Sequence, residues 1–143
     1  MKTLHFLVLL TVGLVGWSIG RAQQAASDSD WTAPAVIHIP KLGAKDLPKK
    51  AGPTLSYKIL AATEGATVQM QVGSVGKHYH ANANELQYII EGHGKMWLGD
   101  KQVDVGPGDL IIIPKGTAHG MMTDYKAIAV KSPPQAPDDM HKL

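Results

Sequence analysis

Two histidines and a glutamate lie close together in the segment KHYHANANELQ, residues 77 to 87. In a β-strand, residues two positions apart point to the same face, so His78 and His80 can present both imidazoles to one point, as a metal chelate requires. Glu85 follows the segment ANAN, whose turn-forming residues allow the chain to reverse and return a carboxylate to that point. This segment therefore predicts three ligands of a metal site.

A fourth candidate ligand lies in the segment GPGDLIIIPKGTAHGMM, residues 106 to 122. Pro114 and Gly116 predict a tight turn after an apolar strand, and His119 lies just beyond that turn. Three imidazoles with one carboxylate suit iron(II), manganese(II), zinc, nickel or copper(II), and leave open positions for water or substrate. We therefore predict one divalent metal ion, of undetermined identity, bound by His78, His80, Glu85 and His119.

These residues also have plainer interpretations. A His-x-His pair alone is commonly a surface or structural feature, and Glu85 could orient an imidazole without contacting a metal. The pair, the glutamate and the turn before His119 together favour a metal site. Other residues with metal-binding or aromatic side chains are predicted to be solvated (His38, His93, His141), core filler (Met70, Met96, Met121, Met122), or core or dimer contacts (Tyr88, Trp97).

The same two-residue period predicts which other side chains face the metal. If Glu85 and His119 point inward, the residues two and four positions later should point inward as well, unless a bulge shifts the pattern by one. The predicted lining is small and mainly apolar, which suits a small organic ligand. The residues predicted to line this pocket are Gln87, Ile89, Met121 and Thr123.

Short β-type runs fill the chain from Thr54 to Val130, with glycine or proline between them and no helix of three turns. The runs are LSYKILA, ATVQMQV, KHYH, ELQYIIE, GKMWLG, KQVDV, DLIIIP and YKAIAVK. Because a closed sheet covers the edges that such apolar runs would expose, the pattern predicts an all-β fold, a single jelly-roll barrel.

The two ends of the chain are predicted to lie outside this barrel. Residues 1–22 carry an apolar run and then small residues, as in a secretory signal, so we expect an exported protein with no membrane contact after cleavage. An uncleaved N-terminal anchor is the alternative. Residues 23–53 are predicted to be a flexible leader and an extended edge arm, 54–131 the barrel domain, and 132–143 a proline-rich tail that is disordered or lies along the surface.

Composition excludes two function classes. Signal cleavage would remove Lys2 and Arg21, so the 14 basic residues would fall to 12 and equal the 12 acidic residues. A neutral domain without arginine has no electrostatic footprint for nucleic acid. The absence of cysteine excludes thiolate chemistry and disulfides, so the domain must depend on its apolar core or on a metal.

Residues 66 to 130 resemble the cupin superfamily. His78, His80, Glu85 and Gly92 match the first cupin motif, although no glycine stands at the usual spacing before the histidine pair. Gly108, Pro114, Gly116 and His119 match the second motif, with Thr123 where asparagine is usual. The resemblance implies a β-barrel with the four predicted ligands on one metal, and a homodimer.

The first motif is most similar to that of germins and oxalate decarboxylases. A carboxylate such as oxalate is commonly bound by a guanidinium fork, and the predicted domain has no arginine, which disfavours oxalate chemistry. The resemblance favours manganese or iron, whereas filling outside the cytoplasm favours zinc or copper.

Two functions follow as the main alternatives. One is a metal-dependent enzyme that oxidises, decarboxylates or isomerises a small organic molecule, with Glu85 as a candidate catalytic base, alongside a metal hydroxide or Tyr88. The other is a non-catalytic module that binds a metal or a small ligand. A third possibility is that the metal only holds the barrel together.

Overall fold

The computed structural model describes residues 34–143. The predicted signal peptide, the leader and residues 31–33 of the arm lie outside the described residues. Nine β-strands and two short 3₁₀-helices, Ile39–Lys41 and Ala44–Asp46, are formed within the described range. The strands are β1 Lys49–Ala51, β2 Leu55–Ala62, β3 Thr67–Tyr79, β4 Asn84–Glu91, β5 Gly94–Leu98, β6 Lys101–Val105, β7 Leu110–Ile113, β8 His119–Ser132 and β9 His141–Lys142.

All strand pairings are antiparallel, and they connect the strands in the order β1-β2-β3-β8-β4-β7. β8 is the central strand of this arrangement. It pairs with β3 on one side, and on the other side with β5 at its beginning and β4 at its end. β6 pairs with β5, and β9 pairs with β3. The prediction of an all-β jelly-roll fold is confirmed. Within residues 34–143, no helix has the length and apolar character needed to cross a membrane.

Burial alternates along β4 as a half-buried strand requires. Glu85, Gln87 and Ile89 are buried inside the barrel, while Leu86 and Tyr88 are exposed on the outer face. The interior has an apolar part, in which Ile89 packs with residues of β5, β7 and β8. The polar residues of β4 stand beside that apolar part, and this arrangement places the candidate ligands inside the molecule.

A bulge in β8 breaks the predicted alternation. Gly73 of β3 pairs with Tyr125, and two residues later Val75 pairs with Met121, so β8 has extra residues between these points. Met121 stays in the core, but Thr123 is exposed and donates a hydrogen bond to the His93 carbonyl oxygen at 3.1 Å. The prediction that Thr123 faces the pocket is therefore wrong, because the bulge turns it outward.

Only glycine fits at the β3 side of this bulge. Gly73 has a φ of 120°, and a Cβ atom there would lie 2.1 Å from the Thr54 carbonyl oxygen. The backbones of β3 and of the residues before β2 therefore approach more closely than any side chain permits.

The N-terminal segment differs from the predicted extended arm. Pro40 stands at the start of the first 3₁₀-helix, where its fixed φ is compatible with helical turns. The Asp46 carboxylate accepts a hydrogen bond from the Gly43 N–H at 2.9 Å and closes the second turn. Leu47 then packs with Leu60 and Met70 in a second apolar cluster. β1 joins the sheet before the predicted domain start at residue 54.

Candidate metal centre

Three histidine side chains converge at one end of the barrel interior. His78 lies near the end of β3, His80 directly follows that strand, and His119 is the first residue of β8, paired with His78. All three are buried, and one ring nitrogen of each lies within 4.8 Å of those of the other two. The two sequence motifs are also joined through the backbone, since the Gly116 N–H donates to the His80 carbonyl oxygen at 2.7 Å.

Each imidazole is held by a backbone carbonyl on its Nδ1 side. Nδ1 of His78 lies 2.8 Å from the Gly76 oxygen, and Nδ1 of His119 lies 2.9 Å from the Thr117 oxygen. Nδ1 of His80 lies 2.6 Å from the backbone oxygen of Asp139. A carbonyl oxygen only accepts hydrogen bonds, so each Nδ1 carries the proton and each neutral ring keeps a lone pair on Nε2. Imidazoles that bind a metal through Nε2 are oriented in this way.

Glu85 completes the donor set. Its Oε2 atom lies 3.2 Å from Nε2 of His80 and 3.4 Å from Nε2 of His119. Nε2 of His119 is buried and has no hydrogen-bond partner, and the buried Oε2 of Glu85 accepts no hydrogen bond and lies 3.3 Å from the Lys131 ammonium. A buried acceptor atom without a donor, such as Nε2 of His119, is costly, and a cation bound between it and the facing carboxylate oxygen would satisfy both atoms. The residues present therefore fit a divalent metal ion with nitrogen and oxygen ligands.

The alternative interpretation of Glu85 does not match this geometry. A carboxylate that orients an imidazole binds the ring nitrogen opposite to the metal. Here the Nδ1 atom of each of the three rings is bound to a backbone carbonyl, and Glu85 faces the Nε2 side. This arrangement supports Glu85 as a ligand.

The protonation states of two donors favour metal binding at neutral pH. Burial, with a further contribution from His119, lowers the pKa of His78 from 6.5 to about 4. Burial alone would raise the pKa of Glu85, but the Lys131 ammonium holds it well below its usual range. His78 is therefore neutral and Glu85 is ionised, as metal ligands must be.

Lys131, near the end of β8, also reaches this centre. Its Nζ atom lies 3.0 Å from Nε2 of His80 and 3.3 Å from Oε2 of Glu85, and it donates a third bond to Gln135. A straight strand would separate His119 from Lys131 by roughly 40 Å. Both nevertheless reach Glu85, so β8 curves around the barrel and contributes to the site from both ends.

Asp139, in the predicted tail, binds the turn that connects His80 with Glu85. Its carboxylate accepts hydrogen bonds from the backbone N–H groups of residues 81 to 83, at 2.8 to 3.1 Å, and from the side chain of Asn82. Burial acts to raise the pKa of Asp139, but these N–H groups lower it. The prediction that residues 132–143 are disordered or lie along the surface does not describe Asp139, which is 2% exposed. The tail packs against this loop, and the Asp139 carboxylate serves as the acceptor for its backbone N–H groups.

A family model described as the Cupin domain matches residues 66–130. The match spans both motifs whose histidines and glutamate form the centre. Residues 66–130 form a domain of the cupin superfamily. The similarity of its first motif to germins and oxalate decarboxylases remains a prediction.

Two curated relatives of this cupin are dioxygenases. Quercetin 2,3-dioxygenase of Bacillus subtilis (strain 168) is 34% identical over 76 residues, which are 48% of this chain and 23% of that protein. Acireductone dioxygenase of Exiguobacterium sibiricum is 34% identical over 62 residues, which are 38% of this chain and 35% of that protein. The chain thus spans well under half the length of either relative.

A solved structure of similar fold is Streptomyces PAC13, which was solved with uridine. It has a TM-score of 0.61 and 17% sequence identity, and the match covers 72% of this cupin and 89% of that chain. At this identity, the similarity establishes the fold alone.

A cavity of about 280 Å³ opens beside the metal centre of this cupin. Gln87 lines it, but Ile89 and Met121 lie in the apolar core, so only one predicted pocket residue faces the cavity. Nε2 of Gln87 donates to Oε1 of Glu85 at 3.0 Å and to Oε1 of Gln71 at 3.1 Å. The remaining lining residues come from β1 to β4, from β8 and from the returning tail: Lys49, Lys50, Ala51, Leu55, Tyr57, Ile59, Thr67, Gln69, Gln71, Val75, His78, Glu85, Tyr125, Lys131, Gln135, Ala136, Pro137 and Met140.

The histidines and aromatic residues that were not predicted to bind the metal are exposed or half-buried. His38, His93 and His141 are exposed, as predicted. Trp97 is half-buried, with Nζ of Lys77 4.6 Å from its ring centre. Tyr88 is exposed on the outer face of β4, which excludes it from the core and from the metal centre.

The metal-free protein is expected to lose stability as the pH falls from about 6.5 towards 4. The folded state keeps His78 neutral over this range while the unfolded chain binds a proton there, so acidification favours unfolding. Below the usual carboxyl range, the lowered pKa values of Glu85 and Asp139 add a further loss in the same direction. Urea unfolding in the presence of a chelator across this pH range measures the effect. A free energy of unfolding that stays constant down to the carboxyl range would contradict it, and His78→Asn should flatten the decrease.

Proposed function

We propose that this cupin binds one divalent metal ion and is a metal-dependent enzyme, of dioxygenase, decarboxylase or isomerase type, acting on a small organic molecule. The proposed ligands are His78, His80, Glu85 and His119. The observation that carries the proposal is the convergence of three buried imidazoles on one carboxylate: Nε2 of His119 has no hydrogen-bond partner and lies 3.4 Å from Oε2 of Glu85, beside two further fixed imidazoles. A centre of this kind at the wall of a cavity is accessible to a ligand.

When bound, such a metal supplies Lewis acidity for a substrate oxygen or a site for O₂. The chain's own residues set the conditions around it. Gln87 fixes the Glu85 carboxylate, which is ionised and would be the candidate base when it is released from the metal. Burial raises the pKa of Tyr125, so its hydroxyl stays protonated and donates to Oε1 of Gln71 at 2.7 Å. Tyr88, a candidate base from the sequence, lies on the outer face and takes no part.

Oxidation by O₂ is the first reaction class to test, because two of the curated relatives are dioxygenases by name. Export and a homodimer remain parts of the same proposal. The apolar segment in residues 1–22 supports export, and the apolar side chains of Leu86 and Tyr88 exposed on β4 support a contact between two copies.

Metal analysis of the protein isolated from its native compartment tests the proposal. We expect close to one equivalent of a transition metal per chain. The protein loaded with Fe²⁺ or Mn²⁺ should then consume O₂ with a phenol, a diketone or a small acid as substrate. Absence of metal would contradict the metal centre. If the protein holds a stoichiometric metal but turns over none of these substrates, the proposed enzymatic activity is contradicted and the non-catalytic binding module is supported.

A further inference from the structure

Lys131 occupies a position that the metal needs. Its ammonium donates to Nε2 of His80, 3.0 Å away. That nitrogen has one lone pair, which can accept the Lys131 hydrogen bond or bind a metal, but not both at once. Metal binding through His80 therefore requires Lys131 to move.

The ammonium also has a clear role before the metal binds. Glu85 is buried, and a buried carboxylate without a counter-charge is strongly destabilising. In the described part of the chain, the Lys131 ammonium lies within ion-pair distance of this carboxylate, with Nζ 3.3 Å from Oε2 of Glu85. Lys131 thus supplies the positive charge that a metal ion would otherwise provide.

Lys131 is itself one of the residues that line the cavity, so an ammonium displaced from His80 has room there. Among the described residues that line the cavity, three are lysines, at positions 49, 50 and 131, and Glu85 is the only acid. A divalent metal more than neutralises that acid. The metal-loaded cavity is therefore cationic, while Leu55, Ile59 and Val75 make part of its wall apolar.

We infer that Lys131 holds the place of the metal in the metal-free protein and, once displaced, binds the anionic group of the substrate. This inference rests on the proposed function and names its substrate class: a small organic anion, a carboxylate or enolate with an apolar body. A lysine offers a point charge rather than the two-pronged fork of arginine, so a single anionic oxygen is sufficient for recognition.

The test compares Lys131→Met with Lys126→Met. Both lysines are buried on β8, but Lys126 pairs with Glu91, away from the centre. In a competition titration, Lys131→Met should bind Zn²⁺ about tenfold more tightly than the wild type, because the competing charge is gone. The zinc-loaded Lys131→Met protein should bind benzoate about tenfold more weakly. Lys126→Met should match the wild type in both affinities. Unchanged or weaker zinc binding by Lys131→Met, or unchanged benzoate binding, would overturn the inference.

Two further measurements do not depend on activity. Metal-free Lys131→Met should melt at a lower temperature than the metal-free wild type, whereas the zinc-loaded forms should melt closer together. An equal difference with and without zinc would overturn the inference that Lys131 replaces the metal charge in the metal-free protein.

The zinc-loaded wild type should prefer benzoate to neutral benzamide by about tenfold, a comparison that needs no variant. Equal binding of the two would overturn the substrate class. Failure of the wild type to bind Zn²⁺ would instead refute the proposed function itself.

Discussion

Replacing His119 with alanine is expected to lower the affinity of the protein for Zn²⁺ by at least about 100-fold, since even the hydrogen-bond partners of metal-bound imidazoles are worth 10- to 100-fold. His119 contributes a buried Nε2 atom with no other partner, held in place by the Thr117 carbonyl oxygen. Lys131, which lies beside Nε2 of His80 and Oε2 of Glu85, carries a like charge to the metal and cannot replace the lost imidazole. Titration with Zn²⁺ against a chromophoric chelator measures the loss.

The matched control for this experiment is His38→Ala. His38 is exposed and lies outside the cluster of three histidines, so its removal should leave zinc affinity unchanged. Circular dichroism of both variants would show that the barrel is intact. If His119→Ala kept wild-type affinity, the ligand set would be wrong, and if His38→Ala lost affinity, zinc would be binding at the surface.

Replacing Asp139 with alanine is expected to lower the free energy of unfolding by about 3 kcal/mol, because a buried carboxylate that accepts several hydrogen bonds is lost. Its N–H donors in residues 81 to 83 would be left without their partner. These residues separate His80 from Glu85, so the ligands should lose their fixed geometry as well. We expect the affinity for Zn²⁺ to fall by about 10- to 100-fold. Urea unfolding of the metal-free protein and zinc titration measure the two effects.

The neighbouring residue provides the control. Asp138→Ala removes an exposed carboxylate one position earlier, so it should change neither the free energy of unfolding nor the affinity for zinc appreciably. Asp139→Asn should fall between the two, since an amide keeps one acceptor oxygen but no charge. Equal stability of Asp138→Ala and Asp139→Ala would show that the returning tail does not support the site.

Short-range features of this cupin were predictable because they depend on neighbours along the chain. The two-residue period of a strand placed His78 and His80 on one face, and proline with glycine marked the turn before His119. The inward direction of Gln87 followed from the same period. Thr123 was predicted wrongly because the bulge opposite Gly73 depends on how β3 and β8 pair, which the local pattern does not contain.

The long-range contacts were not predictable for a similar reason. Asp139 binds His80 across 59 positions of the chain, and Lys131 binds it across 51. A proline-rich segment at the end of a sequence is typical of disorder. Its contact with the site depends on the backbone N–H groups of residues 81 to 83, which need the Asp139 carboxylate as acceptor. Lys126 and Lys131 are both lysines of one strand, and only the pairing of Lys131 with Glu85 shows which of them enters the centre.

The curvature of β8 has a consequence for the order in which the protein matures. The first ligand hairpin is synthesised before β8, yet it lacks His119 and the hydrogen bonds to Asp139 until residue 139 has been made. A nascent chain therefore has no complete cation site, and the contacts that create one are among the most non-local of the fold. Metal capture is thereby tied to closure of the barrel, so a ribosome-bound or partly folded chain would release a metal ion that the finished protein retains.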